Sequence, residues 1–282
     1  MLGLRPERDT VAGGCVLPAF FLGTDRMKRV CIFLDGENFR HSIVRLFEAF
    51  KKADYLPSQA DWANLFQYMV RRAHPDGELV RVYWYVIELL DFFPYRFPKD
   101  SEMDQATPDS LGWFLRCDRS FGRGMQALPP EAFRTCLTKE VKRLKDAQDR
   151  MRTRFVGWRR VQDGIASRWP RIEFRRAGAI MYNAFTGKLG SEKAVDVKLA
   201  TDLIMLREIY DIAVIVSGDQ DYVPAVQVVK DSGKIVHNVV FRTRGGRLLP
   251  GGARRLNLLT DSCIEVSYGD LLVHLNIPGH SC

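Results

Sequence analysis

Val30-Cys31-Ile32-Phe33-Leu34 runs directly into Asp35-Gly36-Glu37-Asn38, and Ile212-Ala213-Val214-Ile215-Val216 runs into Ser217-Gly218-Asp219-Gln220-Asp221. Apolar runs of this length, rich in β-branched residues and bounded by glycine, predict strands buried on both faces of a parallel sheet. In such sheets ligands gather beyond the carboxyl ends of the strands. Acids from segments far apart in sequence can therefore meet there. Clustered carboxylates repel one another and are costly to bury unless something positive joins them, and a hard divalent cation is the usual partner. The pattern predicts a metal site at the ends of these two strands.

Between and beyond the two runs, strands and helices alternate. Ile43, Leu46, Phe47 and Phe50 recur at helical spacing and predict a helix over 38–53. Pro57-Ser58 opens a second, to about Arg72, with Trp62, Leu65, Phe66 and Met69 on one side. His74-Pro75-Asp76-Gly77 is a turn, and 79–86 reads as a strand. The pattern breaks over 88–166, read as a largely helical insertion with a long helix at 131–160. It resumes with a strand at 171–176, a hairpin or loop at 178–190 and a helix from about Ser191 to Tyr210. After the strand 212–216 come a helix over 221–232 capped by Gly233, a strand over 234–241 and an edge strand near 263–266. The order predicts an α/β, doubly wound, mainly parallel sheet with helices on both faces. Residues 28–267 are expected to form one domain, flanked by tails at 1–27 and 268–282. Met27-Lys28-Arg29 looks like a natural opening for this fold.

The chain has 282 residues, 46% hydrophobic and 27% charged, as in an ordinary globular protein with ample core. Net charge is +8, which favours an anionic partner or simply keeps the protein soluble. Six scattered cysteines, none in a C-x-x-C pair, suit a reducing cytosol better than a disulfide framework. The expected location is cytoplasmic, and no apolar stretch is long enough to span a bilayer. The apolar stretch at 15–22 contains Pro18 and has no small-residue cleavage site after it, so a secretory signal is not expected.

Each acidic motif has an ordinary structural reading beside the chemical one. Asp35 and Asn38 could form a turn and a helix N-cap. Asp219 and Asp221 could cap a helix whose dipole favours negative charge. In the segment Glu192–Leu203, Val195, Leu199, Leu203 and Leu206 form an apolar stripe, with Asp202 within its span and Asp196 beside it. An acid on a packing face needs a partner or a function. Asp196 and Asp202 are roughly 9 Å apart along a helix axis, so one ion would not join both. Asp196 is the expected direct ligand. Asp202 is expected in a supporting or second-metal role, with a structural bond almost equally favoured.

Three segments carry a family resemblance: Phe33–Asn38, Lys193–Asp202 and Ser217–Pro224. Together they resemble the signatures of NYN domains, PIN-like ribonuclease domains, near the LabA-like group. The resemblance covers about residues 28–86 and 170–267 and leaves the 88–166 segment outside. It implies a PIN-like parallel sheet whose acids gather Mg²⁺ or Mn²⁺ for hydrolysis of RNA phosphodiester bonds. By position, Asp35, Asp196, Asp219 and Asp221 become the catalytic and metal-binding acids, with Asp202 as a further metal residue and Asn38, Ser217 and Lys193 contacting substrate. Position 194 is alanine where a glycine is commoner.

Metal-assisted cleavage needs no histidine or serine nucleophile, since hard cations activate water and stabilise charge. No phosphate-binding glycine loop or nucleophile elbow is present. Asp35-Gly36-Glu37 lacks the second aspartate of an aspartyl-phosphate phosphatase. Residues 131–160 hold ten Lys or Arg against four acids. Arg143, Arg150 and Arg154 there, with the Arg242–Arg255 loop, offer a track for a nucleic-acid backbone, and Trp158 or Phe121 could stack on bases. A solvated cationic face is the equal competitor. RNA is the expected partner and a membrane is not; homo-oligomerisation stays open. The rival function is a catalytically silent NYN-type module that binds RNA or a protein.

Overall fold

The structure, a computed structural model, describes residues 27–47, 56–97, 112, 124, 127–249 and 253–276. Its centre is β1 (Lys28–Asp35), whose run is buried from Val30 onward. Parallel strands flank it on both edges: β2 (Gly77–Phe93) on one and β5 (Ile212–Val216) on the other. Outward from β2 lie parallel β3 (Ile172–Asn183) and antiparallel β4 (Lys188–Lys193). Outward from β5 lies parallel β6 (Ile235–Arg242), which pairs with the short antiparallel β7 (Leu248–Leu249) and with parallel β8 (Ser262–Ser267). The sheet is mixed and mainly parallel, in the order β4-β3-β2-β1-β5-β6-β7, with β8 beside β6.

Alternation along β1 assigns the two faces. Val30, Ile32 and Leu34 join a core with α1 (Gly36–Leu46), α2 (Trp62–Ala73) and α7 (Tyr268–Leu275). Cys31 and Phe33 face a second core with α4 (Val195–Met205), α5 (Val223–Asp231) and α6 (Arg254–Leu259). Gly36 lets α1 start hard against the neighbouring strand, since a Cβ there would stand 2.4 Å from the Tyr85 carbonyl oxygen. Gly233, at φ 82°, takes the left-handed turn after α5 as expected of a helix C-cap.

Several boundaries differ from the sequence-based expectation, each for a local reason. The second helix starts at Trp62, because the Asp61 carboxylate caps it by accepting from the Asn64 amide. β2 continues to Phe93 within the segment expected as an insertion, pairing with β3 up to Asn183. α3 (Pro130–Arg168) is the crossover that parallel β2 and β3 require, and packs on both. Its Leu137, Val141, Leu144 and Met151 cover Leu90, Phe97 and Ile180 in a third core. Ser191–Lys193 belong to β4, so α4 begins only at Val195. Residues 268–275, expected as tail, form α7. Ser267 and Asp270 cap it reciprocally, and Leu271 and Leu275 are fully buried. Phe50, Phe121 and the first 26 residues lie outside the described residues.

Candidate functional site at the carboxyl edge

Asp35 is the last residue of β1 and the N-cap of α1, and is 2% exposed. Its Oδ1 accepts from the Asn38 backbone amide at 3.1 Å. Its Oδ2 accepts from Asn38 Nδ2 at 2.6 Å and from Ser217 Oγ at 2.9 Å, and lies 3.2 Å from the Tyr222 hydroxyl oxygen. A carboxylate offers about four acceptor positions, and the neutral donors of Asn38 and Ser217 take three of them. Burial pushes the Asp35 carboxyl above the usual carboxylate range. The bonds from Asn38 and Ser217 oppose the shift, and the charge of Asp196 adds to it.

Ser217 stands at the end of β5, which pairs with β1, so the sheet itself brings it to Asp35. Its oxygen also accepts from the Asp219 amide at 3.1 Å. Asp219 in turn accepts from the Asp221 amide at 2.9 Å, capping a short 3₁₀ turn, Gln220–Tyr222. That turn buries Tyr222 completely and aims its hydroxyl between two acids. Besides Asp35, the hydroxyl lies 2.8 Å from Oδ1 of Asp196, in the first turn of α4. A phenol has one hydrogen, and the shorter contact is to Asp196. Asp35 and Asp196 therefore do meet, joined by a hydroxyl. Asp219 is half-buried and Asp221 is exposed. Asp221 and Asp196 both line a groove between α4 and α5, with Ala200, Ile204, Pro224 and Val228.

Two further acids stand at this edge without having been singled out from sequence. Glu192, on β4, is pushed up to about 8 by burial and by the charges of Glu37, Asp35 and Asp196. Burial also works to raise Glu37, but its partners Arg40, at 2.6 Å, and His41, at 2.9 Å, outweigh it and hold the group low. Glu37, Arg40 and Glu192 line a cleft whose opposite wall is Phe155, Trp158 and Gln162 of α3. The Arg154 guanidinium lies 5.2 Å from the centre of the Trp158 ring. Arg150 is exposed and roughly 7 Å farther along the helix from Phe155, and Arg143 is roughly 18 Å away and paired with Glu140. Lys193 is exposed at the end of β4, opposite Ala179.

Asp202 is drawn away from the expected metal role. It is 5% exposed and bonded to Arg175 at 2.5 Å, Lys198 at 3.0 Å and the Tyr85 hydroxyl at 3.1 Å. Burial would raise it, but the two cations hold its carboxyl below the usual range and already balance its charge. Among the described residues no group of three or more His, Cys, Asp or Glu side chains could hold a metal ion. The donor set around Asp35 does not fit a cation as it stands, because Asn38 and Ser217 take three of its acceptor positions and a hydroxyl occupies the space toward Asp196.

Among the described residues no helix is long and apolar enough to cross a membrane. No curated protein matches the chain. A solved structure of a protein of unknown function from Vibrio parahaemolyticus is similar at 17% identity over 86% of this chain and 94% of that one, with a TM-score of 0.39. The family model described as NYN domain matches residues 130–248, from the start of α3 to β7. This span includes Asp196, Ser217, Asp219, Asp221 and Tyr222, while Asp35 and Asn38 precede it. The chain carries an NYN domain, identified over residues 130–248.

Proposed function

We propose that this chain is an NYN-type RNA-binding module with a PIN-like, doubly wound sheet, and that it holds RNA without cutting it. The observation that carries the reading is the closed acid pair. Asp35 accepts from Asn38 and Ser217, and Asp196 from the Tyr222 hydroxyl that separates the two, with no metal ion required. Binding draws support from α3. Lys139, Lys142, Arg143, Arg150, Arg154 and Arg160 are exposed along it, and its Phe155 and Trp158 wall the cleft at the acidic edge. A cationic stripe beside aromatic rings suits a single strand, with phosphates on the charges and bases on the rings.

The second reading is metal-dependent hydrolysis of RNA at Asp35, Asp196, Asp219 and Asp221 with Mg²⁺ or Mn²⁺. The convergence of Asp35, Asp196 and Glu192, whose charges repel one another, favours it. One experiment separates the two. Labelled single-stranded RNA is incubated with purified protein in chelator, then in Mg²⁺ and in Mn²⁺, and both binding and length are followed. The module reading expects a retarded, intact RNA in all three. Shortening that needs metal and is lost in Asp35→Asn would establish the ribonuclease instead.

A further inference from the structure

The geometry points to the Tyr222 hydroxyl as a built-in substitute for a cation: it joins Asp35 to Asp196 and keeps this edge closed to divalent metal. The inference rests on the silent-module reading and deepens it, by naming the group that makes the site silent. Three observations carry it. The hydroxyl is 2.8 Å from Asp196 Oδ1 and 3.2 Å from Asp35 Oδ2, so it stands between the two acids that a shared ion would have to join. The ring is fully buried among Phe33, Val195, Leu199 and Val226 in the second core, so the hydroxyl cannot swing out without unpacking that core. The turn holding it is fixed at its N-terminal side, by Asp219 capping at Asp221 and by Ser217 bonding Asp35 and Asp219.

A Mg²⁺ ion between two carboxylates binds their oxygens at about 2.0–2.1 Å. A hydroxyl in the same place keeps both oxygens farther off and contributes one hydrogen and no charge. Removing that oxygen while keeping the ring leaves two facing carboxylates with space and unbalanced charge between them. Such a pair attracts a hard cation. Tyr222 is thus a positioning residue, and Tyr222→Phe isolates its single atom.

The test is a titration of the full chain with Mn²⁺ alone, read by the loss of the free-ion spin-resonance signal, for wild type and for Tyr222→Phe. Wild type should show no saturable site at micromolar Mn²⁺. Tyr222→Phe should gain one, at least tenfold tighter than any wild-type binding, and should melt lower in chelator and recover when Mn²⁺ is added. A wild-type protein that binds Mn²⁺ as tightly as Tyr222→Phe overturns the inference. If Tyr222→Phe does not fold, as judged by circular dichroism, the wild-type titration still decides: a saturable micromolar site there overturns it. Polarisation of labelled RNA in chelator is measured alongside. Failure of wild type to bind RNA would sink the module reading and leave the Mn²⁺ result standing by itself.

Discussion

Ala194 precedes α4 at φ 71°, in the left-handed region that costs a side-chain-bearing residue roughly 1–2 kcal/mol. This gives a physical reason for glycine being commoner at that position. Glycine loses roughly 0.5–1 kcal/mol of backbone entropy on folding, so Ala194→Gly should gain a net of about 0.5–1 kcal/mol. That corresponds to a melting temperature raised by roughly 1–4 °C, and calorimetry showing no rise would refute the strain argument. Asp35→Asn moves the other way. It places an amide donor among the donors from Asn38 and Ser217, and should cost about 1–3 kcal/mol in metal-free buffer. A variant that melts at or above wild type would mean that repulsion from Asp196 dominates the cap. Glu192 has a pH signature. Its folded value of about 8 lies above its ordinary 4.5, so its favourable contribution is complete below 4.5 and is lost as pH rises through 8. Glu192→Gln should therefore gain stability on wild type as pH rises through that window. Urea midpoints that stay parallel across it would show that burial and the acidic neighbours do not raise Glu192.

At the level of elements, legibility followed burial. β5 was readable to its last residue, and β1 nearly so, because both are buried on both faces and present unbroken apolar runs. The outer half of β2 was not readable. Leu90 is buried under α3, while Leu89 and Phe93 are more than 40% exposed, so neither alternation nor a solid run appears. Sequence alone places Glu192 in a helix, since Ser191–Lys193 carry no strand signal of their own; pairing with β3 makes them a strand. α7 did leave a signal, the capping pair Ser267 and Asp270 just before Leu271, Leu272 and Leu275. At 8 residues it is too short to show periodicity. It closes the first core against α2, where the Asp61 amide donates to the Leu275 carbonyl at 2.8 Å. Leu271→Ala should then cost about 2–5 kcal/mol, as for a fully buried leucine. A loss below 0.5 kcal/mol in urea titration, the range of surface substitutions, would mark α7 as a loosely attached tail.

Across the whole molecule, a parallel sheet delivers the carboxyl ends of distant strands to one edge, which is why Asp35 and Ser217 could be placed together from sequence. Tyr222 could not, since a hydroxyl's role depends on hydrogen-bond geometry that no periodicity encodes. The position of α3 is equally hidden, because its start and its charge are legible but neither its end, at Arg168 rather than 160, nor the face it presents to the cleft. That face now makes the RNA reading quantitative. Lys142, Arg143, Arg150 and Arg154 are exposed on one helix whose far end walls the cleft. If the strand follows the helix, each charge that meets a phosphate releases counterions, and log affinity falls with log salt by about 0.7 per contact. Replacing all four with glutamine should flatten the slope by up to roughly 3, with only a small fall in melting temperature from the lost Arg143–Glu140 pair and the Arg154–Trp158 contact. Replacing Lys28, Arg71, Arg72 and Lys234, away from the cleft lining, should leave the slope where it was. Equal slopes for wild type and the α3 variant would show the basic face to be merely solvated, and would move the search for RNA to the groove between α4 and α5.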